Sequence, residues 1–244
     1  MEVHHHSHTE RKKWTNYIWE FLMLFLAVSL GFFVENQREH YVEHQREKQY
    51  MQSMIEDLVS DTTQFALNRR IRSRRLEMID SMIELLSRPD YKNYTNAIYY
   101  FGRALSPPVN IYPNDRTIQQ LKSAGGLRLI RKLVVSNSIM AYDQQMRLVL
   151  SQLVDEVELR AEYRQLARSI FDGKVWYSMF GPSTFNRPLN NPPLFKSDPE
   201  SINTLISEVQ YFKKADSQQV ERITELIDLA TALLDLIKKE YSLK

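Results

Sequence analysis

Cysteine is absent from the 244 residues. That removes disulfide frameworks, Cys-ligated zinc, iron–sulfur clusters and thiol nucleophiles together. Glycine is scarce, with only 6 in the chain, which argues against Gly-rich phosphate loops and turn-dense β architectures. Charge of one sign is also lacking: 32 Lys+Arg against 30 Asp+Glu leave a net charge of +2. A dedicated nucleic-acid binder shows a clear basic excess, so no nucleic-acid partner is expected. No G-x-S-x-G and no phosphate-loop motif occurs. With 43% hydrophobic and 25% charged residues, the chain can still bury a core. At about 150 residues per domain, its length suits one large domain or a domain with an appendage.

Long hydrophobic runs are missing except for one. Tyr17–Val34 reads YIWEFLMLFLAVSLGFFV, 18 residues with a single charge, Glu20. A helix of that length covers about 27 Å, close to the hydrocarbon thickness of a bilayer. Trp14, Tyr17 and Trp19 at its start fit an aromatic belt, with Glu20 shallow enough to stay interfacial. The run is longer than the core of a cleaved signal peptide, so an uncleaved signal anchor is expected. Arg11, Lys12 and Lys13 precede it, whereas Arg38 stands alone in the ten residues that follow. That bias puts residues 1–16 in the cytoplasm and the bulk of the chain outside it, in the periplasm of a Gram-negative cell. Ala27 and Gly31 form a small-xxx-small pair that permits close helix–helix approach in the membrane.

The nine prolines fall in three places: Pro89; Pro107, Pro108 and Pro113; and Pro182, Pro188, Pro192, Pro193 and Pro199. Proline breaks helix interiors, so the stretches between them are free to be long helices. Positions 55, 58, 62, 65, 69, 72, 76, 79, 83 and 86 step by three and four and are mostly apolar, which predicts a helical seam. Ile139, Met146, Leu150, Leu153, Val157, Ala161 and Ile170 predict a second helix. Ile223, Ile227, Ala230, Leu234, Ile237 and Tyr241 predict a third. Asp198-Pro199 reads as a helix start. Asn114-Asp115 starts a shorter helix that Gly125-Gly126 would end. Only Val109–Tyr112 and Val175–Phe180 have strand-like composition. The expected architecture is all-α: a tail (1–16), a transmembrane helix (17–34), a stalk or first long helix (35–88), and a helical extracytoplasmic remainder (89–244) with a long loop at 173–199.

Chemical motifs are few. His40-Tyr41-Val42-Glu43-His44 matches H-x-x-E-H, the inverted zinc-peptidase pattern. His40 and His44 share one helix face, and Glu43 could activate water. The setting is a highly charged stalk with no implied pocket, so a solvated face laced with i,i+4 charge pairs is the favoured reading. His4, His5, His6 and His8 read as a weakly metal-binding tail. No bound metal or cofactor is expected. Arg69, Arg70, Arg72, Arg74 and Arg75 crowd five arginines into seven residues. A helix running on from the span would hold them about 50 Å from the membrane, out of reach of lipid headgroups. They could meet an anion or an acidic partner. The favoured reading pairs them with Asp155, Glu156, Glu158 and Glu162 on another helix. Residues 89–135 are also basic, with seven Lys+Arg against two Asp.

The segment HHHSHTERKKWTNYIWEFLMLFLAVSLGFFVENQREHYVEHQREKQY resembles the opening of an uncharacterised family of Gram-negative bacterial single-span membrane proteins. Lys12-Lys13-Trp14, Trp19 to Val28, and Arg46 to Tyr50 carry the resemblance. A second match runs from Thr117 to Gly125 and on through Leu127 to Ile130. The resemblance implies a helical inner-membrane protein and supplies no catalytic residue. The function expected from these readings is a non-enzymatic, membrane-anchored helical scaffold or partner-docking protein, alone or as a homo-oligomer. A ligand-sensing periplasmic bundle that signals through a separate protein is the alternative. A zinc metallohydrolase at His40, Glu43 and His44 is the remote one.

Overall fold

A computed structural model describes residues 14–123, 125–181 and 185–243. The histidines at 4, 5, 6 and 8 and the basic residues 11–13 lie outside them. Among the described residues the fold is all-α, with six α-helices: α1 (Trp14–Leu86), α2 (Thr95–Leu105), α3 (Arg116–Ser123), α4 (Leu133–Ile170), α5 (Gly173–Ser178) and α6 (Pro199–Tyr241). The chain divides into two compact units, residues 1–49 and 50–244.

In the first unit, α1 contains the one described helix stretch long and apolar enough to cross a membrane, and none of that stretch is buried. Phe21, Leu24, Phe25, Leu30, Phe32 and Phe33 all stand exposed. An apolar surface of that size marks a membrane or protein contact. Beyond it the helix carries local pairs, such as Arg38 to Glu35 at 2.6 Å.

The second unit is built on three long helices. On α1 the positions 51, 54, 58, 61, 65, 68, 72, 75, 79, 82 and 86 are buried in an unbroken heptad of three-four steps, and Asp57 is buried beside them. On α6 they run 202, 205, 209, 212, 216, 219, 223, 226, 230, 233 and 237. Met51, Leu58 and Phe65 of α1 share an apolar cluster with Ile139, Met146 and Val149 of α4 and with Ile223, Ala230 and Ile237 of α6. Ile79, Met82 and Leu86 share a second with Tyr163 and Ile170 of α4 and with Leu205 and Phe212 of α6. Within this unit α1 and α4 therefore run the same way and α6 runs back between their ends.

The segment 87–132 returns the chain from the end of α1 to the start of α4, and α2 and α3 lie in it. Two carboxylates of α1 hold the start of α3. Asp57 accepts from the Thr117 backbone N–H at 3.1 Å and from Arg116 at 2.7 Å. Asp61 accepts from the Asn114 backbone N–H at 2.8 Å. Gly125, at φ 65°, makes the left-handed turn after α3. Asp198 caps α6, accepting from the Ser201 backbone N–H at 3.0 Å, with Pro199 in the first turn.

The structure corrects the seams in detail. The buried column that pairs with 58, 65, 72, 79 and 86 is 54, 61, 68, 75 and 82, not 55, 62, 69, 76 and 83. The true column holds Asp61, Asn68 and Arg75, which a search for apolar residues passes over. On α4, Val157 and Ala161 are exposed, and the buried positions there are Glu156 and Arg160. The loop 173–199 opens with the helix α5, so Val175 to Ser178 are helical despite their strand-like composition.

Candidate functional site

Between the two apolar clusters lies a layer of buried charge. Arg72 of α1 is fully buried. Its Nη1 donates to Glu156 Oε1 at 2.8 Å and to Asp216 Oδ1 at 2.7 Å. Its Nε donates to Asn68 at 3.0 Å and its Nη2 to the Val109 carbonyl at 2.9 Å. Arg75 donates to Asp216 Oδ2 at 3.1 Å and Arg160 to Glu156 Oε2 at 3.3 Å. Three guanidiniums thus face two carboxylates. The remaining positive charge meets the C-terminus of α2, whose Leu105 carbonyl accepts from Arg75 at 2.9 Å and from Arg160 at 3.0 Å. Pro107 adds a further carbonyl to Arg75 at 3.0 Å. A helix C-terminus leaves carbonyls unpaired and carries partial negative charge, so these arginines cap α2 from α1 and α4. Burial pushes Arg75 down to about 10 and lowers Arg160, against the attraction of Asp216. Both stay charged at neutral pH.

Of the five clustered arginines, Arg72 and Arg75 occupy this layer, Arg69 is half-buried, and Arg70 and Arg74 are exposed. Glu156 is the carboxylate of α4 that reaches them; Asp155, Glu158 and Glu162 are turned outward. Asp216 was not foreseen. Its only trace in the sequence is its place in the α6 heptad, where a buried aspartate needs a cation. Ala27 and Gly31 are exposed on α1, and a Cβ built on Gly31 would meet nothing within 4 Å. His40 and His44 are more than half exposed, at 3.8 Å from Glu43 and 3.3 Å from Glu47 respectively. Among the described residues no group of three or more His, Asp or Glu is placed to hold a metal ion.

A second cluster was not foreseen either. Where α2, α4 and α5 meet, a cavity of about 430 Å³ is lined by Arg103, Arg164, Arg168, Ala167, Phe171 and Trp176. Its apolar wall is aromatic, with the Phe171 and Trp176 ring centroids 4.5 Å apart. Arg103 lies against Trp176 at 5.1 Å, Phe180 at 4.4 Å and Phe185 at 4.9 Å from the ring centroids. Its Nε is buried without a hydrogen-bond partner, and burial lowers its pKa from the ordinary arginine value. Arg164 and Arg168 are exposed one turn apart, and Arg168 Nε donates to the Arg164 carbonyl at 3.1 Å. Glycine makes this packing possible at one point: a Cβ on Gly102 would come within 2.6 Å of the Phe171 ring.

No protein family, curated protein or solved structure matches the chain.

Proposed function

We propose that this is a non-enzymatic, membrane-anchored helical protein that docks or scaffolds a protein partner outside the cytoplasm. One observation carries the reading: α1 holds both the unburied apolar stretch and a heptad seam of the bundle. Residues 17–34 serve as a single-pass anchor in a bacterial inner membrane, with the N-terminal tail cytoplasmic and the remainder periplasmic. The Lys/Arg bias and the resemblance of residues 4–50 to single-span proteins support this. The buried charges of the central layer are spent on one another and on backbone carbonyls, which suits a structural layer. Val59, Leu67 and Ile71 stand exposed on α1, where a partner or a second copy finds apolar surface.

The test is crosslinking in intact membranes through a C-terminal tag, followed by purification and identification. Recovery of a distinct membrane or periplasmic complex supports docking. A defined oligomer of this chain alone makes it a homomeric scaffold, and then Gly31→Leu weakens its association in a membrane reporter. Recovery of the monomer alone overturns the proposal.

The cavity at Arg103 favours a second reading, a ligand-sensing bundle that passes its signal to a separate protein. A reproducible thermal shift with some small molecule supports it.

A further inference from the structure

The ligand-sensing reading leaves open what the bundle binds, and the cavity wall specifies it. We propose that the cavity between α2, α4 and α5 binds a small aromatic carboxylate, its ring against Trp176 and Phe171 and its carboxylate among Arg103, Arg164 and Arg168. The inference rests on the ligand-sensing reading and names its ligand class.

Charge is the first argument. The three arginines of the wall carry no carboxylate partner within 4.0 Å among the described residues, and no acid lines the cavity. Arg164 and Arg168 repel each other at i,i+4, and Arg103 is desolvated with its Nε unsatisfied. The contrast with the central layer is in the carboxylates: there each of the three guanidiniums pairs with one. A bound anion would supply the missing acceptor, and guanidinium–carboxylate hydrogen bonds are the strong, directional kind.

Shape and polarity are the second. A volume of about 430 Å³ lies in the range of small-molecule pockets. The rest of the wall is ring and methyl, from Phe171, Trp176 and Ala167, with the Arg103 guanidinium over the Trp176 ring at 5.1 Å. Inorganic phosphate would leave that surface wet, whereas a flat ring covers it. Arg103 already lies against aromatic rings, so its guanidinium plane can hold a carboxylate edge-on without rearranging.

The experiment is calorimetric titration of the full chain in nanodiscs with 2-naphthoate, its neutral isostere 2-naphthamide, and inorganic phosphate, with empty nanodiscs subtracted. The expected result is one 2-naphthoate per chain, with the amide and phosphate each bound at least about tenfold more weakly. Arg103→Gln weakens naphthoate binding by about tenfold or more. Because Arg103 also anchors Phe180 and Phe185, the exposed pair Arg164→Gln/Arg168→Gln gives an independent check and weakens binding without lowering Tm. Trp176 is the one tryptophan outside residues 14–19, so in a Trp14→Phe/Trp19→Phe background naphthoate must also perturb its emission. Equal binding of acid and amide, equal binding of phosphate, or insensitivity to the arginine pair overturns the ligand class. A neutral or cationic hit in the thermal-shift screen would then keep the ligand-sensing reading alive, and the absence of any hit removes both.

Discussion

The two apolar clusters of the bundle lie along the same three long helices but finish differently. Beside the cluster around Leu58 the carboxylate of Asp61 is fully engaged, accepting from Asn114 and from the Tyr142 hydroxyl at 2.7 Å, while the Oε1 atoms of Gln152 and Gln219 are buried without partners. The cluster around Ile79 has a larger aromatic share, with Tyr99, Tyr163, Phe171 and Phe212 buried. Thr95 Oγ1, Arg103 Nε and Glu208 Oε1 are buried near it without partners. Burial and the neighbouring Glu162 raise the Glu208 carboxyl. A heptad dictates where helices touch and says nothing about whether the end is sealed. One end of this bundle is a closed core, and the other is a core with an arginine-lined opening.

The charged layer separates the two, so removing it is the severest way to break the comparison. Arg72→Met leaves Glu156 and Asp216 short of their shared cation in a buried site. A loss of about 4 kcal/mol is expected, read as the shift in urea midpoint of the full chain. Arg72→Lys recovers little, because an ammonium cannot reach the acceptors a guanidinium fork spans. If the layer fixes register, the Arg72→Met protein also loses protection from hydrogen exchange in both clusters at once. Loss confined to one cluster would make the layer a local contact.

Within the closed end, Leu58→Ala opens a cavity at a fully buried position and costs about 3 kcal/mol. Naphthoate affinity stays unchanged, since Leu58 belongs to the other cluster. At the open end the matching change is an addition. Gly102→Ala drives a methyl into the Phe171 ring, which already packs on Tyr99 at 5.1 Å between ring centroids. It costs about 2 kcal/mol and weakens naphthoate binding by moving the cavity wall. Gly173→Ala, with open space around its Cβ although the residue lines the cavity, is neutral for stability.

These contrasts follow what the sequence could and could not disclose. The all-α class, the apolar run at 17–34, the three proline-bounded long segments and the Asp198 cap were legible, because each depends on local chemistry. The seam of α1 was half legible. The column through Leu58, Phe65, Ile79 and Leu86 is apolar, but its partner column is interrupted by Asp61, Asn68 and Arg75. Those residues are buried because acceptors and donors arrive from segments 30 to 141 residues away in the chain. Periodicity cannot see them. Arg72 and Arg75 were singled out by crowding and Glu156 as one of four acids, while Asp216 and the carbonyls of Leu105 and Pro107 were not. The cavity was hidden for the same reason: Arg103, Arg164 and Trp176 come from three separate elements, and no spacing rule joins them.

The smallest expected effect tests the sealing of the closed end. Tyr142→Phe removes one donor from Asp61 and keeps the ring in place. Burial holds the Asp61 carboxyl above its ordinary value, while the Tyr142 hydroxyl and Asn114 pull it down. With a raised pKa the folded state binds more protons than the unfolded one between the two values, so this group's contribution falls as pH rises through that window. Losing the hydroxyl raises the folded pKa further, and the penalty falls on the ionised form. The variant should cost about 1 kcal/mol near pH 7 and less toward about pH 4, where a larger share of Asp61 is protonated. Urea midpoints at the two pH values decide it. A penalty independent of pH would mean that the hydroxyl serves packing alone. A larger penalty at the acid value would mean that Asp61 enters the fold as the neutral acid and that the closed end, too, holds an imperfectly matched group.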